Sequence, residues 1–139
     1  MPVRTRIDTQ ESILCDALEI EQVLLNLINN GIDAARTQDE KWVEIRVFEE
    51  GESVIAQVLD SGTGVSREIE AKIFQPFFTT KKTGEGTGLG LSISKGILDQ
   101  HSATIALNRS LPNTCFEVRF SRCHGSTGSD EPRGLKNAA

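Results

Sequence analysis

The chain has little positive charge and no long apolar run. Its 139 residues include 15 lysines and arginines against 20 aspartates and glutamates, for a net charge of −5 at pH 7. An acidic chain without a basic patch lacks the electrostatic attraction that binds nucleic acid or anionic membranes, so we expect neither as a direct partner. No stretch approaches the roughly 20 apolar residues that span a bilayer. The opening MPVRTRIDTQ also lacks the apolar core of a signal peptide, which predicts a soluble cytoplasmic domain.

Cysteine is scarce as well. The three cysteines, Cys15, Cys115 and Cys123, are odd in number and have neither metal-ligand nor redox spacing. They are therefore expected to be reduced thiols. Cys15 and Cys115 lie in apolar runs, where a small buried hydrophobic side chain is the expected role.

The patterning predicts one α+β domain. Apolar residues recur every three or four positions after Asp16, which predicts a capped helix of about five turns. Apolar and polar residues alternate over 42–60 and 103–121, which predicts two antiparallel hairpins. A short helix capped by Ser66 and a longer one that begins near Gly88 lie between the hairpins. With two short strands before Asp16, this order predicts helices on one face of a mixed, mostly antiparallel sheet.

The last residues have a different composition. From Arg122 the sequence RCHGSTGSDEPRGLKNAA has almost no large apolar side chain. Such a segment buries too little surface to offset its loss of conformational entropy. We therefore expect a folded domain over residues 1–121 and a disordered tail over 122–139.

A glycine-rich stretch, GEGTGLGLSISKGIL, runs from Gly84 to Leu98 directly into a helical pattern. Glycine lets the backbone approach a ligand closely, and a helix N-terminus offers free N–H groups and the positive end of its dipole. This arrangement is typical of a phosphate site, with a plain surface turn as the alternative.

Two asparagines on the first predicted helix, Asn26 and Asn30, are four residues apart and so share one helix face. Asparagine is a modest helix former, so its repetition in an otherwise apolar helix needs an explanation. Amide oxygens complete the shell of a hard cation such as Mg²⁺, whose other ligands are water and phosphate. The alternative is that these side chains, with Asn29, face solvent.

The sequence DSGTG begins at Asp60, where a predicted strand ends. The Asp60 carboxylate can accept a hydrogen bond from an exocyclic amine, while Gly62 and Gly64 let the backbone lie under a flat ring. An ordinary turn has the same composition, so this signal is weak by itself.

The sequence FQPFFTTKK, residues 74–82, combines apolar anchors with two lysines. A loop of this composition suits a lid that closes over an anionic ligand. The alternative is that Phe77 and Phe78 are core residues.

Four segments together resemble one known family. EQVLLNLINNGIDAA, DSGTGV, IFQPFFTTKK and GEGTGLGLSI are similar to the N box, first glycine box, F box and second glycine box of the catalytic, ATP-binding domain of sensor histidine kinases, in the family's order. The resemblance covers about residues 3–121. It implies the Bergerat fold of the GHKL superfamily, a two-layer α/β sandwich that binds ATP under a lid, here about residues 75–88.

The resemblance also implies roles for individual residues. Asn30 corresponds to the Mg²⁺ ligand, and Asn26 to its neighbour at the phosphates. Asp60 corresponds to the acceptor for the adenine amine. The other nucleotide-binding positions are the backbone under the adenine, the lid with its phosphate-binding lysine, and the second glycine box: Gly62, Gly64, Phe77, Phe78, Lys81 or Lys82, Gly86, Thr87, Gly88, Leu89 and Gly90.

The chain departs from the family pattern at two positions. The sequence DQHSATI stands where the family has His-Gly-Gly, so His101 is kept and both glycines are replaced, which affects a local turn. Asp33 occupies a helix face where many relatives carry a cation. Because a carboxylate would repel phosphate, we leave Asp33 out of the predicted site.

The resemblance implies a kinase domain that lacks its own acceptor. Neither His101 nor His124 has the setting of the family's phosphoacceptor histidine, which lies on a separate helical dimerisation domain. The expected function is therefore transfer of the ATP γ-phosphate to that domain, and from there to a response regulator, within a full-length protein that can be membrane-associated. GHKL-type ATPases, anti-sigma-type serine kinases and a non-catalytic nucleotide-binding regulator are the alternatives. Hydrolysis is disfavoured because Asn26 stands where the ATPases have a glutamate base.

Overall fold

The computed structural model describes residues 1–81, 86–122 and 136–137. The first segment forms strands β1 (Val3–Ile7) and β2 (Ile13–Leu14) and then helix α1 (Ala17–Ala35). Asp16 caps α1 through its side chain, which accepts a hydrogen bond from the Glu19 N–H. The predicted strands and the predicted cap are confirmed.

The remaining elements follow the predicted order. Strands β3 (Val43–Glu50) and β4 (Ser53–Asp60) form the first hairpin, and the short helix α2 (Arg67–Glu70) starts at the Ser66 cap. Helix α3 (Gly90–Gln100) leads into the second hairpin, formed by β5 (Thr104–Leu107) and β6 (Cys115–Ser121). The two-residue strand β7 (Lys136–Asn137) pairs with β2, while residues 123–135 and 138–139 of the predicted tail lie outside the described part.

One five-stranded sheet carries the fold, with strand order β1-β3-β4-β6-β5. Its pairs are antiparallel except for β1 and β3, which run parallel. Helices α1 and α3 contact each other, and they pack on β4 and β5 respectively. The α+β class with a mixed sheet and helices on one face is therefore confirmed.

The core lies between this helical layer and the sheet. Ile20, Val23 and Leu27 are buried on α1, at the spacing expected of an amphipathic helix. They pack with residues such as Val58 and Val118 from the central strands. The core thus holds α1 against β4, with Gly31 of the helix beside Asp60.

The two cysteines within the described residues, Cys15 and Cys115, are buried, as expected. Burial raises the pKa of Cys115 to about 12, and burial also raises the pKa of Cys15. Both thiols therefore stay protonated near neutral pH. Cys123 lies outside the described residues.

None of the helices in the described part of the chain is both long enough and apolar enough to cross a bilayer.

Candidate functional site

The predicted adenine acceptor, Asp60, is a buried carboxylate at the end of β4. Its residue is only 3% exposed. Oδ1 accepts a hydrogen bond from the Gly62 N–H at 2.7 Å. Burial raises the pKa of Asp60 from 3.8 to about 6, against the opposing effect of hydrogen bonds from Gly62 and the Thr114 hydroxyl. A buried carboxylate with a raised pKa, at the end of a strand, is typical of a ligand site.

Glycine at position 62 is required by the closeness of Asp60. A Cβ on Gly62 would lie 2.6 Å from Asp60 Oδ1 and 3.2 Å from Thr114 Oγ1. Gly64 has a φ of 96°, which an L side chain rarely adopts. The first glycine box thus needs its glycines for backbone geometry.

Two residues missed in the sequence hold this loop in place. The Thr114 Oγ1 accepts from the Gly64 N–H at 3.1 Å, and Asn113 Nδ2 donates to the carbonyl oxygen of Gly62 at 3.2 Å. Both residues come from the far hairpin, about 50 positions along the chain. Sequence reasoning had no local signal for them, because PNT is ordinary turn composition.

Asp60, Gly62, Gly64, Asn113 and Thr114 form the Asp60 cluster. A cavity of about 260 Å³ borders this cluster. It lies between residues 63–66 and residues 107–115 and shares Gly64 and Thr114 with that cluster. Neither Asn26 nor Asn30 lines it. The cavity therefore does not coincide with the predicted phosphate site on α1.

The two asparagines of α1 differ in their contacts. Asn26 Nδ2 lies 3.1 Å from Ser94 Oγ and 3.3 Å from the carbonyl oxygen of Gly90, both on α3. The Asn30 amide is half-buried and forms no side-chain hydrogen bond within the described residues. One turn of α1 thus carries a tethered amide and a free amide that is available to a ligand.

The second glycine box leads into α3 as predicted. Gly88 has a φ of 73°, Leu89 occupies the N-cap position, and Gly90 is the first helical residue. The cap makes no side-chain hydrogen bond to the helix, although Thr87 Oγ1 accepts from the Leu89 N–H at 3.2 Å. The first-turn N–H groups of α3 have no partner within the helix, so they can bind an anion.

The two phenylalanines of the predicted lid lie in different surroundings. Phe78 packs partly against the core, so its alternative interpretation as a core residue has some support. Phe77 is 75% exposed, has a φ of 66°, and donates its N–H to the carbonyl oxygen of Gly88 at 2.9 Å. A Cβ on Gly88 would lie 2.4 Å from the Phe77 carbonyl carbon. The two ends of the predicted lid therefore lie in contact at Phe77 and Gly88.

Lys81 reaches from the predicted lid to helix α1. Its Nζ lies 2.5 Å from Asp33 Oδ2, and Asp33 also pairs with Arg36 at 3.4 Å. A Cβ on Gly86 would lie 2.9 Å from Lys81 Cδ, so glycine there leaves room for the lysine stem. Asp33, which we left out of the predicted site, thus contacts a residue placed in it. Lys82 and Gly84 lie outside the described residues.

His101 links the N-terminus of α1 to the C-terminus of α3. Its Nε2 accepts from the Asp16 N–H at 2.9 Å, and Nδ1 lies 2.8 Å from the carbonyl oxygen of Ile97. The next residue, Ser102, has a φ of 53°. Serine therefore adopts a left-handed backbone conformation that favours glycine.

Comparison with known proteins agrees with this geometry. Residues 15–124 match the family described as histidine kinase-, DNA gyrase B-, and HSP90-like ATPase. The chain is 31% identical over 109 residues to the C4-dicarboxylate transport sensor protein DctB of Rhizobium meliloti (strain 1021), covering 78% of this chain and 17% of DctB. It is 41% identical over 101 residues to the sensor histidine kinase ZraS of Escherichia coli (strain K12), covering 73% of this chain and 21% of ZraS. It thus spans about a fifth of the length of these relatives.

A solved structure matches most of the chain. The catalytic domain of histidine kinase ThkA superposes with a TM-score of 0.75 at 32% identity, covering 86% of this chain and 78% of that one. ThkA in complex with the response regulator protein TrrA gives a TM-score of 0.71 at 28% identity, covering 87% of this chain and 34% of that one. The chain therefore belongs to the family of histidine kinase-, DNA gyrase B- and HSP90-like ATPases, and within it to the ATP-binding catalytic domains of sensor histidine kinases.

Proposed function

We propose that this domain binds Mg–ATP and donates the γ-phosphate to a histidine on a separate helical dimerisation domain of the same kinase. The observation that carries the proposal is the Asn26 side chain. An amide cannot take a proton from water, and its NH₂ group is already bound to α3. This position therefore holds no general base that could activate water. Its absence favours transfer of the phosphoryl group to an acceptor nucleophile over hydrolysis.

The adenine end is assigned to the Asp60 cluster. Asp60 accepts from the exocyclic amine, while Gly62 and Gly64 supply the close backbone under the ring. The raised pKa of Asp60 supports this assignment, because desolvation strengthens a hydrogen bond to the ionised form.

The phosphate end is assigned to α1 and the start of α3. The free amide oxygen of Asn30 fits Mg²⁺, which prefers hard oxygen ligands and keeps most of its shell as water and phosphate. No group of three or more His, Cys, Asp or Glu residues in the described segments is placed to hold a metal by itself, which agrees with a metal carried in by the nucleotide. Asn30 would hold the ion there, and the ion would supply positive charge to offset that of the phosphates.

The lid is assigned to about residues 75–88, with Lys81 or Lys82 as the cation for phosphate. Phe77 and Phe78 and the glycine-box residues Gly86, Thr87, Gly88, Leu89 and Gly90 complete the nucleotide site. Hydrogen exchange in this segment should slow when ATP binds, because phosphate oxygens give its N–H groups new partners. Equal exchange with and without ATP would contradict the assignment.

In the transfer step, a nitrogen of the acceptor imidazole forms a bond to the γ-phosphorus while the bond to the bridging oxygen breaks and ADP leaves. The imidazole proton passes to a base of the acceptor domain or to water. This chain contributes position and charge compensation. The response regulator receives the phosphoryl group afterwards from the histidine, so we expect it to be an indirect partner.

Incubation with γ-labelled ATP tests the proposal. The chain alone should acquire no label and release little phosphate, whereas a histidine-bearing helical domain supplied in trans should become labelled. Asn30→Ala should abolish that labelling. Asn29→Ala, on the exposed face of the same helix, is the matched control and should leave it intact. Label on the isolated chain, or rapid phosphate release that survives Asn30→Ala, would favour a serine kinase or an ATPase instead.

A further inference from the structure

Ser94 is a hydroxyl residue buried between α1 and α3. It is 0% exposed, and a buried hydroxyl is costly unless it is hydrogen-bonded. Its Oγ donates to the carbonyl oxygen of Gly90 at 2.8 Å and accepts from Asn26 Nδ2 at 3.1 Å. A hydroxyl has one hydrogen, and Gly90 receives it. The lone pairs of Ser94 therefore face Asn26.

These contacts decide which end of the Asn26 amide faces α3. Nδ2 lies within hydrogen-bond distance of both Ser94 and the Gly90 carbonyl oxygen. Turning the amide over would place Oδ1 against the Gly90 carbonyl, which has no proton to donate, and Ser94 could donate to Oδ1 only by giving up its own hydrogen bond to Gly90. Oδ1 is therefore the polar atom that the side chain presents to a ligand.

This orientation limits what Asn26 can bind. Phosphate oxygens accept hydrogen bonds, and an amide oxygen also accepts, so Asn26 presents the wrong group for direct contact with phosphate. An acceptor oxygen needs a cation or a bound water as its partner. Asn30 lies one turn away on the same helix face, with its amide free.

We propose that Ser94 is a positioning residue that holds Asn26 as a hydrogen-bond acceptor, so that Asn26 contacts water of the Mg²⁺ shell rather than phosphate. The inference rests on the proposed function and names how this part of the nucleotide site works. Removing the Ser94 hydroxyl should weaken the hold on the amide, because Nδ2 would keep only the 3.3 Å hydrogen bond to the Gly90 carbonyl oxygen. The loss should then be confined to the metal-dependent part of nucleotide binding.

Side-chain amide exchange in the free domain tests the orientation directly. In ¹⁵N-labelled protein, the Asn26 NH₂ protons should exchange more slowly than those of the exposed Asn29. Ser94→Ala should accelerate the exchange of the Asn26 NH₂ protons about three- to tenfold, which is the effect of losing one hydrogen bond. Ser92→Ala is the matched control, because Ser92 Oγ donates to the carbonyl oxygen of Leu89. Exchange of Asn26 as fast as Asn29 in the parent protein would overturn the proposal, whatever the domain binds.

ADP affinity tests the consequence. With Mg²⁺, Ser94→Ala should weaken ADP about three- to tenfold while Ser92→Ala matches the parent, and with excess EDTA all three should bind alike. Ser94→Thr, which keeps the hydroxyl, should restore both the Mg²⁺-dependent affinity and the slow Asn26 exchange. If the parent binds Mg–ADP but Ser94→Ala loses nothing, or loses as much in EDTA, the positioning role is wrong and the proposed function stands. A parent that binds no Mg–ADP would instead refute the proposed function.

Discussion

Replacing Asp60 by asparagine separates the effect of the buried carboxylate on folding from its effect on binding. Burial raises its pKa from 3.8 to about 6, so the folded domain holds the proton more tightly than the unfolded chain does. The difference corresponds to about 3 kcal/mol against folding with the carboxylate ionised. This penalty is absent below pH 3.8, grows as the pH rises, and is complete above about pH 6.

An asparagine at this position carries no such penalty. Its amide oxygen still accepts from the Gly62 N–H, though more weakly than a carboxylate. Asp60→Asn should therefore raise the free energy of unfolding by about 1 to 3 kcal/mol near pH 7.5 and change it little near pH 4.5. ADP binding should move the other way and weaken by about 1.5 to 3 kcal/mol, because an NH₂ group replaces the proposed acceptor for the adenine amine. In the parent, ADP affinity should rise as the pH passes through about 6.

Urea unfolding at the two pH values and calorimetry with ADP measure these effects. Asp99→Asn is the matched control, since the Asp99 side chain is 60% exposed and pairs only with Lys95 in the described contacts. It should change neither quantity. If Asp60→Asn lowers stability near pH 7.5, or shifts it equally at both pH values, the carboxylate is not desolvated as argued. Unchanged ADP affinity would remove Asp60 from the nucleotide site.

Three further substitutions follow from the backbone and charge geometry. Ser102→Gly should raise the melting temperature by about 2 to 5 °C, because glycine adopts the φ of 53° without strain, and scanning calorimetry measures it. Gly88→Ala should lower the melting temperature and weaken ADP several-fold, since its Cβ would overlap the Phe77 backbone; unchanged ADP affinity would place this contact outside the site. Asp33→Asn should raise ADP affinity about two- to fivefold at low salt and less at high salt, because it releases Lys81 from its ion pair and removes a negative charge near the proposed phosphate site. Titration with ADP at two salt concentrations checks this.

Much of the fold was predictable because its signals are local. The Asp16 cap, the three-to-four spacing along α1 and the alternation in the two hairpins each depend on neighbours within a few residues. The positive φ of Gly64 and Gly88 also follows from short-range backbone sterics. The parallel pairing of β1 with β3 was not predicted, because nothing in either strand encodes the direction of its distant partner.

The candidate site divides in the same way. Asn26, Asn30 and Asp60 could be named as candidates from the sequence, because they lie at fixed positions within motifs that can be recognised by residue type and order. Their environment was decided by contacts across the chain. Asn26 and Ser94 are 68 positions apart, and Gly64 and Thr114 are 50 apart. Such partners come together only when α1 and α3 pack and the hairpins share one sheet. Burial in that packed layer also raises the pKa of Asp60. How far a side chain is removed from solvent depends on the folded chain, so the sequence pattern alone does not show it.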